Sequence, residues 1–236
     1  MKRIIIFAFV SLIFISCSQD LKSNSPGFQA SKNNKLWTGV NLSATKSASG
    51  QLNIVAQGDE GTIDLKIANY NLGTFYLGTN SNATFASYNT TINGVVVSYD
   101  TAPLVGSVAT IESPILYTGD NYVASSSATT TGGTGSGLTV KTEVSLGTVT
   151  KVTILAPGIN YTPGDIVTIV GGNNFAQFVV QNVEGSNGEI TITDKSNGTI
   201  TGTFKFNAKS ATSVPNGSQF VNFQSGNFFK IPVKNL

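Results

Sequence analysis

The chain has 236 residues with 14 Lys and Arg, 12 Asp and Glu, no His and one Cys, and only 11% of it is charged. Without His it has no imidazole to carry protons, and with a single Cys it cannot build a Cys or His metal site. Lys2 and Arg3 account for the whole basic excess and Arg3 is the only Arg. The remainder therefore has no net charge and no clustered basic face for nucleic acid.

In chain order, Lys2-Arg3 precedes the apolar runs Ile4 to Val10 and Leu12 to Ile15, then Ser16-Cys17. This reads as a signal peptide over 1–16, because a membrane span needs about 20 apolar residues. A lone Cys after such a core, followed by Ser18-Gln19-Asp20, resembles the lipobox of bacterial lipoproteins, although Phe14 stands where that pattern prefers Leu. The resemblance implies lipid attachment at Cys17 and a place in the cell envelope as an outer membrane lipoprotein. Each buried methylene of the lipid contributes about 0.8 kcal/mol, enough for stable anchoring with more than one chain. Residues 17–34 are polar, broken by Pro26-Gly27, and read as a flexible tether reaching roughly 20–25 Å.

Beyond the tether no window keeps a helical apolar period, and alternation of period two recurs instead. Examples are Ile63, Leu65 and Ile67; Val95, Val97 and Tyr99; Ile190 and Ile192; and Ile200, Gly202, Phe204 and Phe206. Asn93-Gly94, Asn187-Gly188, Asn197-Gly198 and Asn216-Gly217 bound these runs as turn signals, with Gly188 to Phe206 the clearest hairpin. Trp37 opens the first expected strand as a core anchor. The expected fold is all-β: an antiparallel sandwich or barrel-like domain carrying an inserted small β module.

Ile63-Asp64-Leu65-Lys66-Ile67, Gly73-Thr74-Phe75-Tyr76-Leu77, Ile200 to Phe206 and Gly226 to Val233 together resemble small lipoproteins of Bacteroidetes-type bacteria, a family known only as a domain of unknown function. The resemblance implies an all-β domain over 35–102 plus 184–236, and no known activity. Between these parts, Gly132 to Val140 and Gly147 to Asp165 resemble a glycine-rich β module of phage tail and fibre proteins. Residues 103–183 are accordingly read as an insert. Within it, Ile111, Pro114 and Tyr117-Thr118-Gly119-Asp120 parallel Ile154, Pro157, Tyr161-Thr162 and Gly164-Asp165, and Gly132-Gly133 parallels Gly171-Gly172. Two repeats of roughly forty residues are expected.

Chemistry-bearing motifs are few. Gly132 to Gly137 lacks the Lys and Ser or Thr of a phosphate loop, Asp120 and Asp165 read as turn caps, and Asp59-Glu60 reads as a hairpin tip. No cofactor and no metal site are expected. Asp100-Thr101-Ala102 resembles an O-glycosylation acceptor, with Thr101 as the modified residue. Tyr117, Tyr122 and Tyr161 are the candidate ligand contacts, offering flat apolar faces with a hydroxyl, unless they fill the small core of the insert. The expected function is that of a non-enzymatic surface lipoprotein binding a glycan or protein partner. The alternative is an enzyme acting on envelope polysaccharide through a carboxylate pair that the sequence does not reveal.

Overall fold

A computed structural model describes residues 25–236, so the signal segment and Cys17 lie outside the described residues. The first eight strands are β1 (Gly27–Lys32), β2 (Lys35–Gly39), β3 (Asn41–Lys46), β4 (Leu52–Gly58), β5 (Gly61–Ile67), β6 (Gly73–Leu77), β7 (Phe85–Ile92) and β8 (Val95–Asp100). Six follow as β9 (Val108–Ile111), β10 (Ser125–Gly132), β11 (Ser136–Ser145), β12 (Thr148–Ile159), β13 (Ile166–Ile169) and β14 (Gln177–Val183). The last are β15 (Asn187–Asp194), β16 (Thr199–Ser210) and β17 (Phe220–Asn235). The fold is all-β, in two sheets: the first in the order β2-β1-β17-β3-β4-β5-β7-β8-β16-β15-β6, the second β12-β11-β10-β13-β14-β9.

Alternation of apolar and polar side chains builds the first sheet. Leu52, Ile54 and Ala56 on β4 and Ile63, Leu65 and Ile67 on β5 all point to one buried face. Burying that face is the main gain that offsets chain entropy. Asn93-Gly94 and Asn197-Gly198, both with positive φ at both positions, make the tight turns of β7–β8 and β15–β16, as the twist of two-residue hairpins requires. Asn187-Gly188 is no turn: it opens β15 opposite Phe206 and Asn207.

A direct β16–β17 pairing returns the sheet on itself, so β17-β3-β4-β5-β7-β8-β16 is a closed circuit flanked by β1–β2 and β15–β6. One joint in it is parallel, because the end of the 16-residue β17 leaves β1 and runs beside β3 through Val233–Asn235. Inside, Phe223 meets Phe206 at 4.8 Å, Tyr88 at 5.1 Å and Trp37 at 6.2 Å between ring centres. Trp37 also packs edge-on against Phe28. Phe28 corrects the expected tether. Residues 27–32 are strand, paired on one side with β17 and on the other with β2, with Phe28 and Ala30 in the core. Two apolar side chains in a polar stretch sufficed because both neighbouring strands offer hydrogen-bond partners.

The second sheet has its own core, built on Val140, Val149, Tyr161, Val167, Phe178 and their neighbours. Its strand order is a palindrome. If β9-β10-β11 is one repeat and β12-β13-β14 the other, the order reads third element of one beside second of the same, then second and third of the other. Each first strand has crossed to the far side, β12 lying against β11 and β9 against β14. Thr130 and Ile169, 39 residues apart, pair directly, which puts a local two-fold through that pair.

The same offset corrects the repeat alignment read from the sequence. Ile115-Leu116-Tyr117-Thr118-Gly119-Asp120-Asn121-Tyr122 matches Ile154-Leu155-Ala156-Pro157-Gly158-Ile159-Asn160-Tyr161, and Thr129 to Gly133 matches Thr168 to Gly172. Gly119 and Gly158 have φ of 61° and 63°, Asn121 and Asn160 of 60° and 62°. The amide of Tyr122 donates to the Gly147 carbonyl, and that of Tyr161 to the Gly106 carbonyl, each just ahead of a first strand. Tyr161 therefore corresponds to Tyr122 and not to Tyr117.

The two sheets meet where the chain passes between them. Ser186 Oγ donates to the Ala102 carbonyl and Asn182 Nδ2 to the Leu77 carbonyl, so the ends of the second-sheet segment lie together.

Candidate functional site

Three loops gather at one end of the second sheet: residues 112–124, the Leu146-Gly147 turn between β11 and β12, and residues 170–176. They are tied to one another. Asn173 N donates to the Asp120 carbonyl (2.9 Å), Asp120 N and Phe175 N donate to Asn173 Oδ1 (3.0 and 3.1 Å), and Val149 N donates to the Thr118 carbonyl (3.0 Å). Asn174 closes the tip, its Oδ1 accepting from Gly171 N at 2.9 Å. This end is fixed although it is made of loops.

Its surface carries exposed apolar side chains among polar ones such as Asp120, Asn121 and Asn173. Tyr117 (46% exposed) and Phe175 (53%) face each other with ring centres 5.0 Å apart and planes tilted 37°. A two-way backbone bridge between Tyr117 and Gln177 holds the first ring in place. Val123 and Leu146 are almost wholly exposed. Leu146 has φ of 50° and Gly147 of 78°, the conformation that Asn93-Gly94 and Asn197-Gly198 adopt. Leu thus stands where the turns at Asn33-Asn34, Asn93-Gly94 and Asn197-Gly198 carry Asn. A left-handed conformation costs an ordinary L-residue about 1–2 kcal/mol, and full exposure of Leu recovers none of it by burial.

Of the three candidate tyrosines, only Tyr117 is available to a ligand. Tyr161 is 1% exposed beneath Gly135 and Gly158, and Tyr122 is 6% exposed, its hydroxyl donating to the Ile169 carbonyl and accepting from Ala176 N. Both are core pillars of the two repeats, and the contact role read for them is corrected. Phe175 is not legible as a contact residue in the sequence, since a single Phe after Asn173-Asn174 carries no periodic signal.

Thr101 is likewise no glycosylation site in the fold. It is 2% exposed, its Oγ1 accepts from Ala86 N at 2.9 Å and its amide donates to the Ala86 carbonyl at 3.0 Å. A sugar on that oxygen would displace a buried hydrogen bond. Cys17 lies outside the described residues.

At the opposite end of the second sheet, Asp165 Oδ2 accepts from Thr162 N (2.8 Å), Thr134 N (3.0 Å) and Thr134 Oγ1 (2.7 Å). Burial alone would raise this carboxyl, but the three donors hold it below the usual range. Asp120 does not act as a cap of this kind; its amide donates to Asn173. Glu60, in the β4–β5 turn, is lowered by its hydrogen bond and ion pair with Lys32. Among the described residues no three of His, Cys, Asp and Glu come together as metal ligands would.

Two carboxylates share a row on the outward face of the first sheet. Asp64 on β5 lies opposite Ser87 on β7, which lies opposite Asp100 on β8. Burial raises both carboxyls, opposed at Asp64 by the charge of Lys66 and at Asp100 by a hydrogen bond from Ser98. Asp64 Oδ1 is shut from solvent without a partner. A raised folded-state pKa means that the native state binds the proton more readily than the unfolded chain between the two pKa values. Stability from this group is therefore present at acid pH and falls as pH rises through that window. Asp64→Asn is expected to stabilise the protein at neutral pH by about 0.5 kcal/mol once solvent screening of the half-buried carboxylate is allowed for, roughly 1–2 °C, and to lose that advantage as pH falls into the ordinary carboxyl range. Melting curves of both proteins across pH 3–8 check this; a variant less stable at pH 7 would show that the carboxylate charge is compensated.

Comparison with known proteins places a family model described as a domain of unknown function (DUF6252) on residues 24–118 and 116–232. No curated protein and no solved structure matches the chain.

Proposed function

Because the chain belongs to the DUF6252 family, whose description names no activity, we propose its role from its own residues: a non-enzymatic envelope lipoprotein, held to the outer membrane through Cys17, that binds an external partner with the loop end of the second sheet. The observation that supports this most is Leu146. It is fully exposed in a left-handed turn position where Asn is the favourable residue, at the same end of the second sheet as the exposed Val123, Tyr117 and Phe175. Strain and apolar exposure together at a rigid loop tip are what a contact residue has and a purely structural turn does not need.

The test pairs two substitutions in the full chain. Leu146→Asn should raise the melting temperature by roughly 2–4 °C, for about 1 kcal/mol of relieved strain, while weakening retention on intact cells several-fold. Cys17→Ser should release the protein from membranes and abolish labelling by a palmitate analogue. Unchanged cell retention by L146N would exclude the loop end as the contact. Continued labelling and attachment of C17S would exclude the anchor.

A second reading, an enzyme acting on envelope polysaccharide, draws on the Asp64–Ser87–Asp100 row. Two strand spacings put these carboxylates roughly 9–10 Å apart, near the upper limit for an inverting glycosidase. The Asp64→Asn protein decides it: glycan hydrolysis by the wild type that this variant loses would favour the enzyme.

A further inference from the structure

We infer that Tyr117, backed by Phe175, and Asp120 form a stacking site for a neutral hexopyranose, the sugar face lying on the exposed Tyr117 ring and its hydroxyls on Asp120 and Asn173. This rests on the partner-binding reading above and names the class of ligand. The internal two-fold is the starting point, because it separates what the fold needs from what it does not. Gly119, Asn121 and Tyr122 recur as Gly158, Asn160 and Tyr161 with the same left-handed φ at Gly and Asn and a buried Tyr in each repeat, so they serve the architecture. Tyr117 and Asp120 do not recur: the second repeat has Ala156 and Ile159 in their places. The first repeat thus carries an exposed ring and a carboxylate that its twin folds without.

These two unshared residues are linked through Asn173 and Phe175. The Asn173 side chain bonds the Asp120 amide through Oδ1 and reaches Asp120 Oδ2 through Nδ2 at 3.5 Å, and the same Oδ1 accepts from Phe175 N. One asparagine therefore sets the carboxylate and the second ring relative to each other. A pyranose has an apolar C–H face and an equatorial rim of hydroxyls, which match an exposed aromatic ring edged by an acceptor and an amide. A preorganised site loses little entropy on binding. The exposed carboxylate sets the charge preference, since an acidic sugar placed on that ring would bring a second anion close to Asp120.

The probes are cellotetraose, mannotetraose and tri-N-acetylchitotriose as neutral sugars, with trigalacturonate as the acidic control, all measured by saturation-transfer NMR on the full chain. At least one neutral sugar should receive saturation at its ring C–H protons and bind more tightly than trigalacturonate. Tyr117→Ala should weaken it at least tenfold with the thermal transition unchanged, and Tyr117→Phe, which keeps the ring, should bind nearly as the wild type does. Equal sugar binding by Y117A, preference for trigalacturonate, or no binding of any neutral sugar overturns the inference. In the last case cell retention separates the two readings: retention that L146N lowers leaves partner binding standing with a ligand other than a sugar, and retention unaffected by L146N removes both.

Discussion

Phe223→Ala is expected to destabilise the protein by about 3–5 kcal/mol, a fall in melting temperature of roughly 10 °C or more for a chain of this size. Phe223 is fully buried on β17 and touches three rings, Trp37 from β2, Phe206 from β16 and Tyr88 from β7. It therefore joins β17 and β16 of the closed circuit, and the flanking β2, to β7 across the circuit. Truncation removes apolar area from water exclusion and leaves a void lined by rigid aromatic rings, which cannot collapse far. Phe220, three residues earlier and 46% exposed beside Lys209, supplies the control. Phe220→Ala should lose no more than about 0.5–1 kcal/mol. Chemical denaturation of the two variants measures the difference, and similar losses would mean that the core repacks around the missing ring.

Replacing residues 103–185 with a short Gly-Ser linker should leave a cooperatively folding protein that no longer binds intact cells. The reasoning is geometric. The flanks are held together without the excised segment, because β8 pairs with β16 through Asp100–Lys209 and Tyr99–Ser210, and β15 pairs with both β16 and β6. Ser186 and Ala102 are already in hydrogen-bond contact, so a short linker spans the gap. The two cores share no side chain among the described residues. What is lost between the units is small: the Asn182–Leu77 and Asn187–Val183 hydrogen bonds, the fit of Asn80 against Gly164 and that of Phe220 against Gly185. Tertiary order is read from near-ultraviolet dichroism, where Trp37 and the Phe223 ring cluster report, and function from cell retention. A molten product would show that the second sheet contributes to the first core, and full cell binding by the excised protein would place the contact outside the loop end.

Much of the strand content follows from local sequence. Period-two alternation at Ile63-Leu65-Ile67 or Ile200-Gly202-Phe204-Phe206 is sufficient because a strand with one buried face can satisfy that pattern in only one way. Asn93-Gly94 and Asn197-Gly198 mark hairpins because few residues tolerate two successive left-handed conformations. The chain also determined its own charge neutrality outside Lys2 and Arg3.

Other features depended on partners distant in sequence. Residues 27–32 look like tether until β17 and β2 come to lie on either side of them, since the strand is stabilised by hydrogen bonds across nearly the whole chain length. Tyr117, Tyr122 and Tyr161 are equivalent as letters, and only the packing of the Gly-rich turns over two of them separates core pillars from the one exposed ring. The repeat register slipped for the same reason. A Tyr-Thr pair recurs by composition, whereas the true correspondence is carried by left-handed Asn121 and Asn160 and by the pairing of Thr130 with Ile169. The candidate site is the furthest from the sequence: Tyr117, Asp120, Asn173 and Phe175 belong to two loops on different strands, and a sequence records neither the bridge from Tyr117 to Gln177 nor the bonds from Asn173 that bring them to one surface.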